Sequence, residues 1–360
     1  MPNVSEDLFK PYFGSFVVVA NNINDLKEFN PIEIATFNGT GTANIAGSKV
    51  KVSAMIDSFL NTLKEVFPVT APAEGEAPNL INFAITKKRQ AVPVAKPKVL
   101  IPVFPGTNCE YDTARAFERA GAEAEIFIIK NQSAFDIEDS VKNLIKSIDN
   151  SQIIAFPGGF SGGDEPDGSG KFIATTFKNE AIAEAVMNLL YKRDGLALGI
   201  CNGFQALIKL GLVPYGDIRE QVADAPTLTF NNINRHISTI AQVRVATNKS
   251  PWLSGCKVGE VYNVPLSHGE GRFVSTNAEL EKIVSSGQVA TQYVDFTGSA
   301  TMKSPYNPNG SMYAIEGIIS PDGRVLGKMG HAERIDDNLY KNVEGNYDMK
   351  IFESGVKYFK

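Results

Sequence analysis

Between residues 98 and 211 the chain alternates short, nearly continuous apolar runs with amphipathic stretches of helical period, and that alternation restricts the fold more than any other feature. KVLIPVF (98–104), EAEIFIIK (123–130), SQIIAFP (151–157) and GLALGI (195–200) read as strands, and residues 112–121, 136–148 and 179–192 as helices between them. Strands that are apolar on both faces and separated by helices imply a parallel sheet covered on both sides. In such sheets ligands sit at the carboxyl ends of the strands. Three loops leave those ends: FPGTNCEYD (104–112), FPGGFSGGDEPDGSG (156–170) and GICNGFQ (199–205). From about residue 225 the pattern turns β-rich, with AQVRVAT, ATQYVDF, MYAIEGIIS and GRVLGKM as candidate strands. The expected fold class is α/β: a mostly parallel sheet flanked by helices, preceded by a small α+β segment.

The N-terminal part has a different character. A proline-rich stretch of little periodicity, residues 68–97, reads as a linker, and its cluster Lys87-Lys88-Arg89 as a solvated charge run. Before it, FGSFVVVA (13–20) and KVKVSAMI (49–56) read as strands, while Ile56, Phe59, Leu60, Leu63 and Phe67 recur at helical spacing. The expected organisation is a small α+β segment over 1–67, the linker over 68–97 and the main domain over 98–360. The first of these is too short to bury much of a core by itself.

Composition excludes several functions. Lys plus Arg number 35 against 40 Asp plus Glu, a net charge of -5, with no basic stripe interleaved with aromatics, so nucleic acid is not an expected partner. No apolar run approaches the ~20 residues that span a bilayer, and MPNVSEDLFK lacks the layout of a signal peptide. A cytoplasmic protein without a membrane partner is expected. Cys109, Cys201 and Cys256 lie far apart, which excludes a disulfide framework or a C-x-x-C pair and leaves reactivity as the question for each.

Gly199-Ile200-Cys201-Asn202-Gly203 falls where a strand passes directly into a helix. A sharp turn there exposes the side chain of its central residue, and the helix dipole favours a thiolate, so Cys201 is a candidate nucleophile. A small buried cysteine beside a tight turn fits the pattern equally well. A nucleophilic thiol also needs a base. His331, in Gly330-His331-Ala332-Glu333-Arg334, has a carboxylate two residues on to orient it, giving Cys201, His331 and Glu333 as a candidate triad. The alternative for His331 is a surface His–Glu pair. H-x-E also begins a zinc-deaminase signature, but the P-C-x-x-C it requires is missing, and no metal site is expected. Backbone N–H groups of Gly159 and Asn202 are the candidate oxyanion donors. The Gly-rich loop fails as a phosphate cradle: Phe172 follows Gly170-Lys171, and Asp164, Glu165 and Asp167 would repel phosphate. The alternative for this stretch is a plain flexible loop. Cys109 lacks flanking glycines and is expected at the edge of the site or in a structural role; Cys256 and His236 are expected to be structural. SHGEGRF (267–273) reads either as a ligand-contacting loop or as an ordinary turn.

PGGFSGGD, GICNGFQ and the terminal H-x-E together resemble the triad glutamine amidotransferases. VFPGTNCEYDTARAFERAG, SHGEGRF, YNPNGS (306–311) and GHAER add a resemblance to the phosphoribosylformylglycinamidine synthase glutaminases, covering residues 98–360 in order. Residues up to about 67 resemble, more weakly, the end of the synthetase region that precedes this domain in single-chain forms. The family ends more often in M-P-H-P-E-R, so Gly330 and Ala332 stand here where both prolines would be, which puts loop rigidity in question. The resemblance implies a class I amidotransferase fold and a Cys201 thioester with glutamine, His331 shuttling protons and Glu333 orienting it. Gln205, His268 and Gly269 would bind glutamine. It further implies no cofactor in this chain, and a synthetase partner that uses ATP and Mg to convert formylglycinamide ribonucleotide to formylglycinamidine ribonucleotide. Another cysteine hydrolase of the same fold, or a non-catalytic docking module, are the competing readings.

Overall fold

The computed structural model describes residues 11–45, 48–73, 75–76, 78–86, 91–163, 170–336 and 338–360. The basic cluster at 87–89 and the acidic residues Asp164, Glu165 and Asp167 lie outside them. The chain forms two compact units, Met1–Val69 and Thr70–Lys360.

In the first unit a hairpin of β1 (Thr42–Ile45) and β2 (Ser48–Lys51) leads into α1 (Val52–Asn61). FGSFVVVA forms no strand, and the strand expected over 49–56 is cut short because the helix begins at Val52. The spacing of Met55, Ile56, Phe59 and Leu60 explains why: three- and four-residue intervals favour a helix face over strand alternation. No described residue of this unit is buried.

The second unit carries the expected alternation: β3 (Lys98–Val103), α2 (Glu110–Arg119), β4 (Glu123–Ile128), α3 (Ala134–Asn150), β5 (Ile153–Phe156), α4 (Lys171–Phe177), α5 (Glu180–Met187), β6 (Leu196–Ile200) and α6 (Asn202–Leu210). Side chains cap several of the helices: Ser133 accepts from the Asp136 N–H at the start of α3, and Asn179 from Ala181 and Ile182 at the start of α5. The chain continues as β7 (Thr227–Thr229), β8 (Ile237–Val245), β9 (Val261–His268), β10 (Arg272–Val274), α7 (Asn277–Ser285), β11 (Val289–Val294), β12 (Ile315–Ile319), β13 (Val325–Lys328) and α8 (Ile351–Lys357). Nine strands form one sheet in the order β4-β3-β5-β6-β13-β12-β11-β8-β9, and β7 pairs separately with β10.

From β4 to β13 the pairings are parallel; from β13 to β9 they are antiparallel. The mostly parallel sheet expected from residues 98–200 is thus one half of a mixed sheet. The β-rich segment after 225 extends it edge to edge, with β13 inserted beside β6. Buried aromatics fill the layers between sheet and helices, with Phe156 and Phe177 packed edge to face at 4.8 Å and Phe204 and Trp252 sealed from solvent.

The segment expected as a linker is, from Thr70 on, part of this unit. Ile81 N–H donates to Gln292 Oε1 at 2.9 Å, Phe83 bridges to Thr247, and Ala91 and Val94 donate to the carbonyls of Tyr358 and Phe359. Its prolines suit an extended strap, and several of its described N–H groups donate to neighbouring strands and to the C-terminal residues.

Candidate active site

The carboxyl ends of β5, β6, β9 and β13 converge on Cys201. Its backbone has φ 53° and ψ -107°, a left-handed conformation that is strained for any residue but glycine. Neither flanking glycine shares that handedness. Each is required for room instead: a Cβ on Gly203 would lie 2.0 Å from the Phe156 carbonyl oxygen, and one on Gly199 2.7 Å from the Gly203 backbone. The strand and helix can therefore close into an elbow with the cysteine at its apex. Cys201 N–H donates to the Lys328 carbonyl at 2.9 Å, and its Sγ lies 3.7 Å from the Ser267 carbonyl oxygen.

His331 follows β13 and is buried. Its backbone N–H donates to the Pro265 carbonyl at 2.9 Å, and Nδ1 lies 2.6 Å from Glu333 Oε1. That bond fixes the tautomer and leaves Nε2 as the nitrogen open to a thiol. Burial alone would depress the imidazole. The Glu333 carboxylate, the Cys201 sulfur and hydrogen bonds to Cys109 and Cys201 override it, holding the ring well above its usual range. The structure thus brings Cys201, His331 and Glu333 together, from positions 130 residues apart in the chain.

Cys109, at the start of α2, sits at the edge of the same site. Its Sγ lies 4.0 Å from His331 Nδ1 and accepts from Arg334 Nη2 at 3.0 Å. Burial raises this thiol above its ordinary value, which disfavours its thiolate. Gly158 makes room for both groups: a Cβ there would come within 2.7 Å of His331 Cε1 and 3.0 Å of Cys109 Sγ. Donor atoms of Cys109, His331 and Glu333 all lie within 4.8 Å of one another. The His–Glu pair is already hydrogen-bonded, however, and a guanidinium rather than a cation's vacancy faces the sulfur. Cys256 is remote and buried, its Sγ 2.9 Å from the Met349 carbonyl oxygen.

The loop that carries Gly159 is tied to Asn202. Ser161 N–H donates to Asn202 Oδ1 at 3.3 Å, tying the loop after β5 to the first residue of α6. Gly159 has φ 143°, and a Cβ on it would lie 2.7 Å from Asn108 N, so only glycine fits. Asn202 Nδ2 donates to Gln205 Oε1 at 3.0 Å, and Gln205 Nε2 in turn donates to the Glu270 carbonyl. Gln205 is therefore engaged at both ends of its amide and fastens the turn of SHGEGRF to α6.

His268 ends β9 and is buried. Its Nδ1 lies 3.1 Å from Asn231 Oδ1. The Asn231 amide cannot be turned over, because Oδ1 also accepts from the Gly271 N–H while Nδ2 donates to the carbonyls of Arg235 and His268. Nδ1 therefore carries the proton, and Nε2 is a buried acceptor with no hydrogen-bond partner. Burial pushes the imidazole down to about 3, so it stays neutral. A Cβ on Gly269 would meet nothing within 4 Å, so this backbone borders open space. The YNPNGS loop braces the turn, with Asn309 Nδ2 donating to the Gly271 carbonyl at 2.7 Å and Phe273 N–H to Ser311 Oγ at 3.0 Å. His236 pairs with Ser267 Oγ at 3.0 Å. Asn231 escaped the sequence reading because a single buried asparagine inside a polar stretch has no periodicity or motif to mark it.

Among the described residues no helix is long and apolar enough to cross a membrane. The sequence profile of the CobB/CobQ-like glutamine amidotransferase domain matches residues 96–359. The phosphoribosylformylglycinamidine synthase subunit PurQ of Methanococcus maripaludis (strain C5) is 36% identical over 257 residues, covering 71% of this chain and 88% of that one. The PurQ subunit of Ruegeria sp. (strain TM1040) is 32% identical over 248 residues, covering 69% and 93%. A chain from the solved PurLQS structure of Thermotoga maritima superposes with a TM-score of 0.53 at 28% identity, covering 74% of this chain and 100% of that one. A cysteine, histidine and glutamate gathered at the β6–α6 turn, a mixed α/β sheet and these relatives agree: the chain belongs to the CobB/CobQ-like family of glutamine amidotransferase enzymes.

Proposed function

We propose that this chain hydrolyses glutamine to glutamate and ammonia through a γ-glutamyl thioester on Cys201, as the glutaminase part of a phosphoribosylformylglycinamidine synthase. The observation that carries the reading is the strained elbow that holds Cys201 against a His331 whose other nitrogen is engaged by Glu333. His331 takes the thiol proton, and the thiolate attacks the side-chain carboxamide carbon. The oxygen gains negative charge and is received by the N–H groups of Asn202 and Gly159. The imidazolium then gives its proton to the departing nitrogen, the C–N bond breaks, and ammonia leaves. A water loses its proton to His331 and attacks the thioester, the C–S bond breaks, and glutamate is released. Gly269, whose backbone borders open space, and the turn held by Gln205 would border the substrate, while His268, its Nε2 sealed from solvent, supports that turn from within.

On this reading the ammonia passes to a synthetase partner, which carries out the ATP- and Mg-dependent formation of formylglycinamidine ribonucleotide. PurQ relatives are named as synthase subunits, which supports such a partner. The unit over 1–67, resembling the end of a synthetase region, fits the same assignment.

An electrophilic glutamine analogue, added with and without excess glutamine and followed by peptide mass spectrometry, tests the mechanism. The expected result is glutamine-protected labelling of Cys201 alone, abolished in Cys201→Ala. Labelling of Cys109 instead, or unprotected labelling of every thiol, would overturn the assignment of the nucleophile.

A further inference from the structure

Beneath the His331 loop lies a buried charge pair that the proposed chemistry leaves unused. Lys328, the last residue of β13, and Glu316, on β12, are both sealed from solvent, with Nζ 3.1 Å from Glu316 Oε1. Two buried charges are a costly way to fill space, since apolar residues of similar volume serve stability at least as well. The partners of the pair explain its presence. Lys328 Nζ donates to the Gly330 carbonyl at 2.8 Å, and Glu316 Oε1 accepts from the Gly330 N–H at 2.6 Å. Both polar groups of this one residue are thus held by opposite ends of a single ion pair. Thr291 Oγ1 donates to the other Glu316 oxygen and fixes the carboxylate in turn.

We infer that the Glu316–Lys328 pair is a positioning device that fixes the Gly330 peptide, and through it His331, against Cys201. Two further observations converge on it. Lys328 also accepts the Cys201 N–H on its backbone carbonyl, so one residue touches both sides of the proposed nucleophile–base pair. Gly330 is not in the left-handed region, so its conformation does not demand glycine. Room does, since a Cβ would lie 2.3 Å from Val264 Cγ2 and 3.0 Å from Glu316 Oε1. A glycine there would be loose; the ion pair restores rigidity by hydrogen bonding both of its polar groups.

The inference rests on the proposed roles of Cys201 and His331, so its test reads the thiol directly as well as glutamine turnover. In the full chain, Glu316→Ala with Lys328→Met removes both charges together and avoids stranding either one. The rate of Cys201 alkylation by iodoacetamide is expected to fall roughly 10- to 100-fold. The kcat for glutamine should fall in parallel while KM stays within about twofold. Thr291→Val, which removes only the outer support, should give a smaller loss in the same direction and covers the case in which the double variant does not fold. A folded double variant with a lower Tm but unchanged alkylation and kcat would overturn the inference. Loss of alkylation rate in a chain that never turns over glutamine would instead keep the positioning role and overturn the glutaminase reading.

Discussion

The two units of this chain contain similar apolar residues and make opposite use of them. In the first, Phe13, Phe16, Phe37 and Phe59 are each more than 80% exposed and no described residue is buried; in the second, Phe117, Phe177, Phe204 and Trp252 are wholly sealed. Apolar content alone therefore makes no core. What distinguishes the second unit is a wide sheet that offers two faces for helices to cover, whereas a two-stranded hairpin with one helix offers almost none.

That contrast predicts a graded set of mutational responses. The largest belongs to the elbow: Gly203→Ala drives a methyl into the Phe156 carbonyl, and Phe204→Ala one residue later empties a sealed site. Each should cost on the order of 3–5 kcal/mol in chemical denaturation of the full chain. A loss below about 1 kcal/mol for either would mean that the second unit is looser than its packing indicates.

A smaller effect is expected from His268. Its folded value of about 3 lies below that of an unfolded histidine, so the unfolded chain binds the extra proton in acid. Its neutral form is therefore fully compatible with folding above the unfolded value, and stability is lost as pH falls below about 6.5 toward 3. Between pH 7 and pH 5 the loss from this group should approach about 2 kcal/mol. Replacing it by an uncharged residue, His268→Gln, should flatten the acid limb of a Tm-against-pH curve; an unchanged slope would show that the imidazole is not buried neutral.

The smallest response should come from the first unit. Phe59→Ala, although it deletes a large aromatic, is expected to change the stability of the isolated full chain by no more than about 0.5 kcal/mol. A loss comparable to that of Phe204→Ala would erase the distinction between the units.

The same contrast explains what was legible in the sequence. Strands β3, β5 and β6 and the helices between them were readable because burial imposes long apolar runs; β4, at the sheet edge, carries a similar run with its residues only half-buried or exposed. FGSFVVVA looks like such a strand yet forms none, since a run of that kind becomes a strand only when a neighbouring edge receives it. The proline-rich strap over 70–97 reads as a linker because its bonds to Gln292, Thr247 and Tyr358 join residues far apart in the chain and leave no local pattern. Within the site, Cys201, His331 and Glu333 stood out through spacing and residue type. Asn231, Glu316 and Lys328 did not, because their side chains bond backbone groups of Gly271 and Gly330, which carry no side-chain signal. The glycines flanking Cys201 supply clearance, while the left-handed conformation falls on Cys201 itself, which its residue type does not announce.

Register has one further consequence. In the parallel pairing of β6 with β13, Ile200 stands opposite Lys328, one residue before Cys201 and three before His331. The alignment of sulfur and imidazole is therefore measured out by a ladder of backbone hydrogen bonds, as on the scale of a vernier, and a slip of a single rung would send alternate side chains to the wrong side of the sheet. Loops around the site can differ in length or composition without disturbing that gauge. The reactive pair can thus keep its calibration while the rim that meets a substrate or a neighbouring protein is free to vary.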